Sequence, residues 1–240
     1  MAIKHQSELQ SDGYLVVPSV YADALVSKLL DRIDAANVEN SESALRSRGT
    51  VFAARNLIDS IPDLLSIVES PVLSELLIET LGQNYGLVRV LFFDKPSDRS
   101  WNLPFHKDLT IAVKDNSLPT TCFSKPTHKG GVDHVEASEE ILANMLTLRI
   151  HLDTVTESNG PLEVIPGSHL SGKSTEPACA DPVKILVDAG DVLAMRPMIS
   201  HASGHTDPEG DLRRRILHLE FCGTEILPDS YQWMHFLRNR

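Results

Sequence analysis

Cysteine is scarce in this chain. Cys122, Cys179 and Cys222 are the three, far apart and forming no C-x-x-C pair. That number and spacing exclude a disulfide framework and point to reduced thiols in a cytoplasmic protein. No run of eighteen apolar residues occurs, so no membrane-spanning helix is expected. The N-terminal stretch MAIKHQSELQSDG lacks the apolar segment of a secretory signal. Basic charge is also short: 22 Lys and Arg stand against 33 Asp and Glu, for a formal net charge of −11. A broad nucleic-acid surface needs basic patches to neutralise phosphates, and the longest basic cluster is only Arg213, Arg214 and Arg215. The expected partner is a small molecule, with no nucleic acid and no membrane. Internal repeats and low-complexity linkers are absent as well.

What is present is a 240-residue chain, 42% apolar, which can bury a core without a structural metal. Any metal would therefore serve chemistry. The first third reads as mostly helical. SVYADALVSKLLDRIDAAN puts Leu25, Leu29, Leu30 and Ile33 at helical spacing. SPVLSELLIETLG has Ser70 as N-cap, Pro71 at the first helical position and Gly82 at the end. GYLVVPSV, ahead of both, reads as a short strand. From about Tyr85 the pattern changes to short apolar runs punctuated by Gly, Pro, Asn and Asp, which suggests an all-β sandwich or barrel. The expectation is a single domain over residues 1–240, with a mostly helical layer at 1–84 and a β core at 85–222. A long loop at 114–140, of the kind that forms lids or binding loops, interrupts the core. A tail at 223–240 closes with a short helix.

The stretch NLPFHKDLTIAV places His106 and Asp108 two residues apart at the mouth of an apolar run. On a strand, residues i and i+2 share a face, so the pair would present an imidazole and a carboxylate side by side and turn Lys107 away. A distant histidine would complete a 2-His-1-carboxylate set, which suits non-haem Fe(II). An isolated H-x-D is common and by itself is more often a surface feature. GDVLAMRPMISHASGH offers His201, closing a buried strand, and His205, already in a loop. His201 is preferred because a strand end holds a ligand rigidly. DLRRRILHLEF then supplies an arginine for an anionic co-substrate: Arg214 shares the more polar face with Ile216, His218 and Glu220. Arg213 and Arg215, which share the face of Leu217, Leu219 and Phe221, read as solvated. In MLTLRIHLDTV, Thr147, Arg149, His151 and Asp153 form one wholly polar face, which would either line a cavity or face solvent.

With these residues in view, the chain resembles the phytanoyl-CoA dioxygenase family. The resemblance runs through HKD, LDTVTESNGPLEVIPGSH, GDVLAMRPMISHASG and RRILHLEF, in that order, over about Gly13 to Cys222. It implies a double-stranded β-helix (jelly-roll, cupin-like) core flanked by a helical layer. It also implies a non-haem Fe(II)- and 2-oxoglutarate-dependent dioxygenase that uses O2 to hydroxylate a small-molecule substrate, with ascorbate helpful in vitro. Iron ligation falls to His106, Asp108 and His201, and co-substrate binding to Arg214, with Ser203 nearby. Arg149 stands where the family has an aromatic residue that contacts 2-oxoglutarate, and it is placed with the co-substrate residues as a departure from the pattern. His169 falls at a turn position of the family and is not a ligand. The presence of Asp108 favours hydroxylation over halogenation, since related halogenases replace this carboxylate.

The substrate is not legible. Arg55 and Asn56, between helical segments, and Lys125, His128, Lys129 and His134, in the long loop, could reach it, though each reads more readily as solvated. The acidic balance speaks against an acyl-CoA. Two alternatives remain: a cupin-like metalloenzyme that does not use 2-oxoglutarate, and a non-catalytic binding domain on the same fold.

Overall fold

The periodicity of the first third does build a helical layer. The computed structural model describes residues 2–36, 44–47, 50–96, 102–174, 180–204, 206–207 and 213–238. Cys179 and His205 lie outside them. The helices of the layer are α1 (Ala2–Ser11), α2 (Asp23–Ala35), α3 (Leu57–Ser60), α4 (Leu64–Ile67) and α5 (Pro71–Leu81). α2 buries Val26, Leu29 and Ile33 on one face, and α5 buries Leu73, Leu76, Leu77 and Leu81. Ser70 holds the extended N-cap backbone of α5, but its side chain makes no capping bond. Pro71 starts the helix where its missing N–H costs nothing, and Gly82 ends it at φ +85°.

Three strands also belong to this first third: β1 (Tyr14–Val17), β2 (Ala44–Ser47) and β3 (Thr50–Ala54). β1 is the short strand read in GYLVVPSV. β2 and β3 add two strands that the sequence of this otherwise mostly helical part did not announce. ALRS and TVFAA are too short to show a period, and pairing with the main sheet decides their state. The strands that follow are β4 (Gly86–Lys95), β5 (Leu103–His106), β6 (Thr110–Val113), β7 (Ser124–Lys129), β8 (Val132–Glu136), β9 (Met145–His151), β10 (Leu162–Val164), β11 (Val183–Ile185), β12 (Val192–Met195), β13 (His201–Ser203) and β14 (Arg214–Cys222).

They form a seven-stranded sheet, β1-β12-β9-β14-β4-β3-β2, a four-stranded sheet, β11-β10-β13-β5, and a three-stranded sheet, β6-β8-β7. One face of the large sheet carries Leu87, Leu146, Leu148, Ile150, Leu217 and Leu219 into the same apolar core as the helices. The other face is polar yet buried: Arg89, Thr147, Arg149, His151, Arg214, His218 and Glu220 are all 6% exposed or less. The polar face read in MLTLRIHLDTV therefore turns inward. At Gly190, φ is +90° and an added Cβ would stand 2.1 Å from the Tyr21 carbonyl oxygen, so the turn before β12 requires glycine.

Residues 114–140 are not a structureless loop. SKPTHK and VDHVE form the β7–β8 hairpin about Gly130 and Gly131, both at positive φ, and β8 pairs with β6. A short helix α6 (Glu139–Ala143) follows, with the Ser138 hydroxyl accepting from the Ile141 N–H. A Gly-Gly pair between two short runs is a hairpin signal. It is masked here because β7 is exposed along nearly its whole length and shows no apolar alternation. The tail also differs from expectation. Among the described residues past 222 there is no helix. Trp233 and Leu237 instead make isolated bridges to Val113 and Leu87, and Trp233 Nε1 donates to the Thr224 carbonyl. No helix among the described residues is long and apolar enough to cross a membrane.

Candidate metal centre and its cavity

His106, Asp108 and His201 offer one donor atom each, all within 4.8 Å of one another. His106 Nε2 lies 3.9 Å from one Asp108 oxygen and His201 Nε2 lies 3.6 Å from the other. Both imidazoles are set the same way. His106 Nδ1 sits 2.8 Å from the Pro104 carbonyl and His201 Nδ1 sits 3.0 Å from the Ile199 carbonyl. A ring that donates Nδ1–H to a carbonyl keeps the Nε2 lone pair for a metal. Burial pulls His201 down to about 4, despite the nearby Asp108 charge, so its ring is neutral at neutral pH. Burial alone would raise the Asp108 carboxyl, but His201, His218, His106 and Arg89 outweigh it and hold it at about 2. Two imidazoles and one carboxylate fit a divalent transition metal.

The route to this geometry differs from strand alternation. His106 ends β5 in the small sheet, β6 begins only at Thr110 in another sheet, and Asp108 lies in the bend between them. Its N–H donates to the Pro197 carbonyl at 2.9 Å. His201 likewise opens β13 rather than closing β12, because a turn at Arg196–Ile199 breaks the apolar run. β13 and β5 then pair His201 directly with His106.

Lys107 does turn away from the metal donors, but not to solvent. It is 8% exposed, and its Nζ donates to the Ser168 and Gly172 carbonyls (2.8 and 2.7 Å) and to Ser171 Oγ (3.0 Å). Ser168 Oγ accepts from the Ser200 N–H at 2.8 Å, and the Ile165 N–H donates to the Ser200 carbonyl. The segment around Pro166-Gly167-Ser168 thus ties the His106–Asp108 bend to the residue before His201. Groups that orient ligands from behind are typically worth about 10- to 100-fold in metal affinity. Lys107→Met is expected to weaken metal binding by about that factor while all three donors remain. Competition against a chromogenic chelator measures it, and wild-type affinity would contradict the role.

The triad opens on a cavity of about 530 Å³, lined from the large sheet by Arg89, Leu91, Phe93, Arg149, Arg214 and His218. Arg214 donates from Nη2 to Ser203 Oγ at 3.0 Å, so the two residues named for co-substrate binding do meet. Lys95, fully buried beside them, donates to Ser203 Oγ (3.1 Å) and to the Gly204 carbonyl (2.5 Å). Burial and then the Arg214 charge bring Lys95 down to about 7. Burial also lowers Arg149 and Arg214, to about 10 and about 9. Lys95 was not singled out from the sequence, yet alternation along β4 puts Arg89, Leu91, Phe93 and Lys95 on one face. Deeper in, Arg89 makes a two-pronged pair with Glu220, whose Oε1 also accepts from His218 Nε2 at 3.2 Å. That leaves His218 Nδ1 to accept from Arg149 Nη1 at 3.2 Å.

The remaining named residues are placed as follows. Arg213 and Arg215 are ion-paired with Asp94 and Asp153 at the strand end. His169 lies away from the triad, with Nε2 at 3.2 Å from the Gln10 carbonyl. Lys125 pairs with Glu136, and His128 with Asp133. Arg55 and Lys129 line the cavity, while Asn56 reaches the hairpin through the Gly130 carbonyl. His134 is buried.

Buried histidines set the acid limit of the fold. Burial depresses His151 to about 3 and His134 to about 4, from an ordinary value near 6.5. The unfolded chain takes up these protons as pH falls below 6.5, while the folded chain resists until about 4 and below. Stability is therefore expected to drop between pH 6.5 and 4, by on the order of several kcal/mol. Urea midpoints across that range measure it, and a pH-independent midpoint would contradict it.

The family model for phytanoyl-CoA dioxygenase matches residues 9–214, and the chain belongs to that family. The L-proline trans-4-hydroxylase of Streptomyces griseoviridis is 28% identical over 163 residues, covering 67% of this chain and 53% of that protein. The chain thus spans about half the length of this curated relative. Among solved structures, EctD from S. alaskensis with bound Fe superposes with a TM-score of 0.69 at 16% identity, over 92% of this chain and 76% of that one. The epimerase SnoN, in complex with Fe3+, alpha ketoglutarate and nogalamycin RO, gives 0.67 at 18% identity, over 95% and 87%. EvdMO1 gives 0.66 at 21% identity, over 92% of this chain and 49% of that one. The shared fold is the double-stranded β-helix, whose two facing sheets enclose the cavity.

Proposed function

We propose that this chain is a non-haem Fe(II)- and 2-oxoglutarate-dependent oxygenase that hydroxylates a small molecule. One observation carries the reading: three metal donors and the Arg214–Ser203 pair open on the same cavity. Family membership and the metal- and co-substrate-bound neighbours support it. Bound Fe(II) with 2-oxoglutarate and O2 would supply the oxidising power, giving hydroxylated substrate, succinate and CO2.

The chain's own residues set the stage for that chemistry. His106 and His201 present fixed Nε2 lone pairs, and Asp108 supplies one negative charge and stays ionised. Arg214 grips the far carboxylate of 2-oxoglutarate, helped by the Ser203 hydroxyl. Lys95 holds that hydroxyl and the neighbouring backbone in place. Leu91, Phe93 and Leu162 keep part of the cavity wall apolar and limit water near the reacting carbon. A cupin-like enzyme without 2-oxoglutarate would have no use for a buried arginine that lacks a carboxylate partner among the described residues.

Anaerobic addition of Fe(II) and 2-oxoglutarate tests the assignment. A weak visible absorption band that needs both components is expected, and it should be lost in Asp108→Ala. Metal binding without any 2-oxoglutarate binding would favour the cupin-like alternative.

A further inference from the structure

Charge in the cavity does not balance without a further anion. With a divalent metal and dianionic 2-oxoglutarate in place, Asp108, Arg214 and those two ligands sum to zero, and Lys95, brought down to about 7, only adds to the positive side. Arg89 and Glu220 cancel each other. Glu136, the other carboxylate in the lining, is already held by Lys125 and Lys173. Of the other lining cations, Lys107 is committed to the Ser168 and Gly172 carbonyls and Lys129 is exposed; Arg149 and Arg55 are the remaining guanidiniums, and neither has a carboxylate partner among the described residues. Arg149 is buried, and Arg55 is half-buried with its Nε shielded from solvent; an unpaired charge is costly to bury, so the two guanidiniums are placed for a ligand.

Arg55 is the better placed to meet that ligand. It follows directly on β3, where Ala54 pairs with Phe92, so it continues alongside Leu91 in the row that also holds His218 and Arg149. Its Nε is buried with no hydrogen-bond partner, and its side chain lines the cavity. Asn56, at φ +59°, bonds the Gly130 carbonyl of the β7–β8 hairpin and pins the bend that carries Arg55. Arg214 lies four residues along β14 from His218, roughly 13 Å away. The co-substrate anchor and Arg55 are therefore separate positions on one sheet face.

We propose that the primary substrate carries a carboxylate and that the Arg55 guanidinium holds it, with the reacting carbon directed at the triad. This rests on the oxygenase reading above. A guanidinium binds a carboxylate through two parallel charged hydrogen bonds, which a primary amide of the same shape cannot match. Arg149 contributes the second positive charge through the field of the cavity.

Calorimetry on protein loaded with Zn(II) and N-oxalylglycine, a non-reactive mimic of 2-oxoglutarate, tests this. The probes are acetate, cyclopentanecarboxylate, benzoate and phenylacetate, each set against its primary amide. At least one acid is expected to bind about tenfold or more tightly than its amide. Arg55→Gln should erase that preference and Arg55→Lys should restore part of it, with N-oxalylglycine affinity within about threefold of wild type in both. Acids no better than amides in wild type, or a preference that survives Arg55→Gln, would overturn the proposal. So would loss of N-oxalylglycine itself in Arg55→Gln, which would make Arg55 a co-substrate residue. Wild-type protein that binds Zn(II) but never N-oxalylglycine would instead sink the oxygenase reading, and this inference with it.

Discussion

His106→Ala is expected to bind Fe(II) at least about 100-fold more weakly than wild type and to copurify with background iron only. Removing this imidazole leaves two donors, and neither neighbour in the bend can replace it. Lys107 is committed to the Ser168 and Gly172 carbonyls, and Phe105 carries no donor. The fold should survive, because the His106 side chain is 32% exposed and its one hydrogen bond returns to its own strand. Iron content by colorimetric chelation and a thermal melt together make the comparison. His169→Ala is the control: its histidine stands away from the triad against the Gln10 carbonyl, so its iron content should equal that of wild type. Wild-type iron in His106→Ala would remove the residue from the site.

Arg214→Ala is expected to keep its iron and to weaken 2-oxoglutarate binding by roughly 100-fold or more, the usual cost of deleting one side of a buried, hydrogen-bonded charge pair. The apo variant should be no less stable than wild type. Arg214 is 4% exposed, its Nε has no partner among the described residues, and its neighbours Lys95 and Ser203 offer no countercharge. Losing a desolvated cation relieves a penalty rather than breaking a pair. Direct titration with 2-oxoglutarate in the presence of metal measures the effect. An unchanged dissociation constant would point to Lys95 or Arg149 as the anchor.

Alternation made the inner face of the large sheet legible. Arg149 and His151 on β9, and Arg214, His218 and Glu220 on β14, alternate with aliphatic residues, and those aliphatic residues bury against the helices. The three candidate metal donors were legible as residue types, but the geometry that unites them was not. They meet through a bend between two sheets and a short pairing of β13 with β5, and both depend on contacts far apart in sequence. The same holds for Lys107, whose three acceptors lie more than sixty residues away. The β7–β8 hairpin escaped notice because an exposed strand carries no apolar period. The short helix expected in the tail does not form among the described residues, where the aromatic residues find partners far away in sequence. Tyr231 and Trp233 bury in the second core with Val113 and Leu227, and Phe236 packs against it.

The most direct test is turnover under 18O2 with Fe(II), ascorbate and 2-oxoglutarate, with succinate read by mass spectrometry. Succinate carrying one heavy oxygen atom is the predicted result, at a low rate without substrate and absent in Asp108→Ala. Iron-loaded wild-type protein that yields no succinate, or succinate without label, would contradict the account.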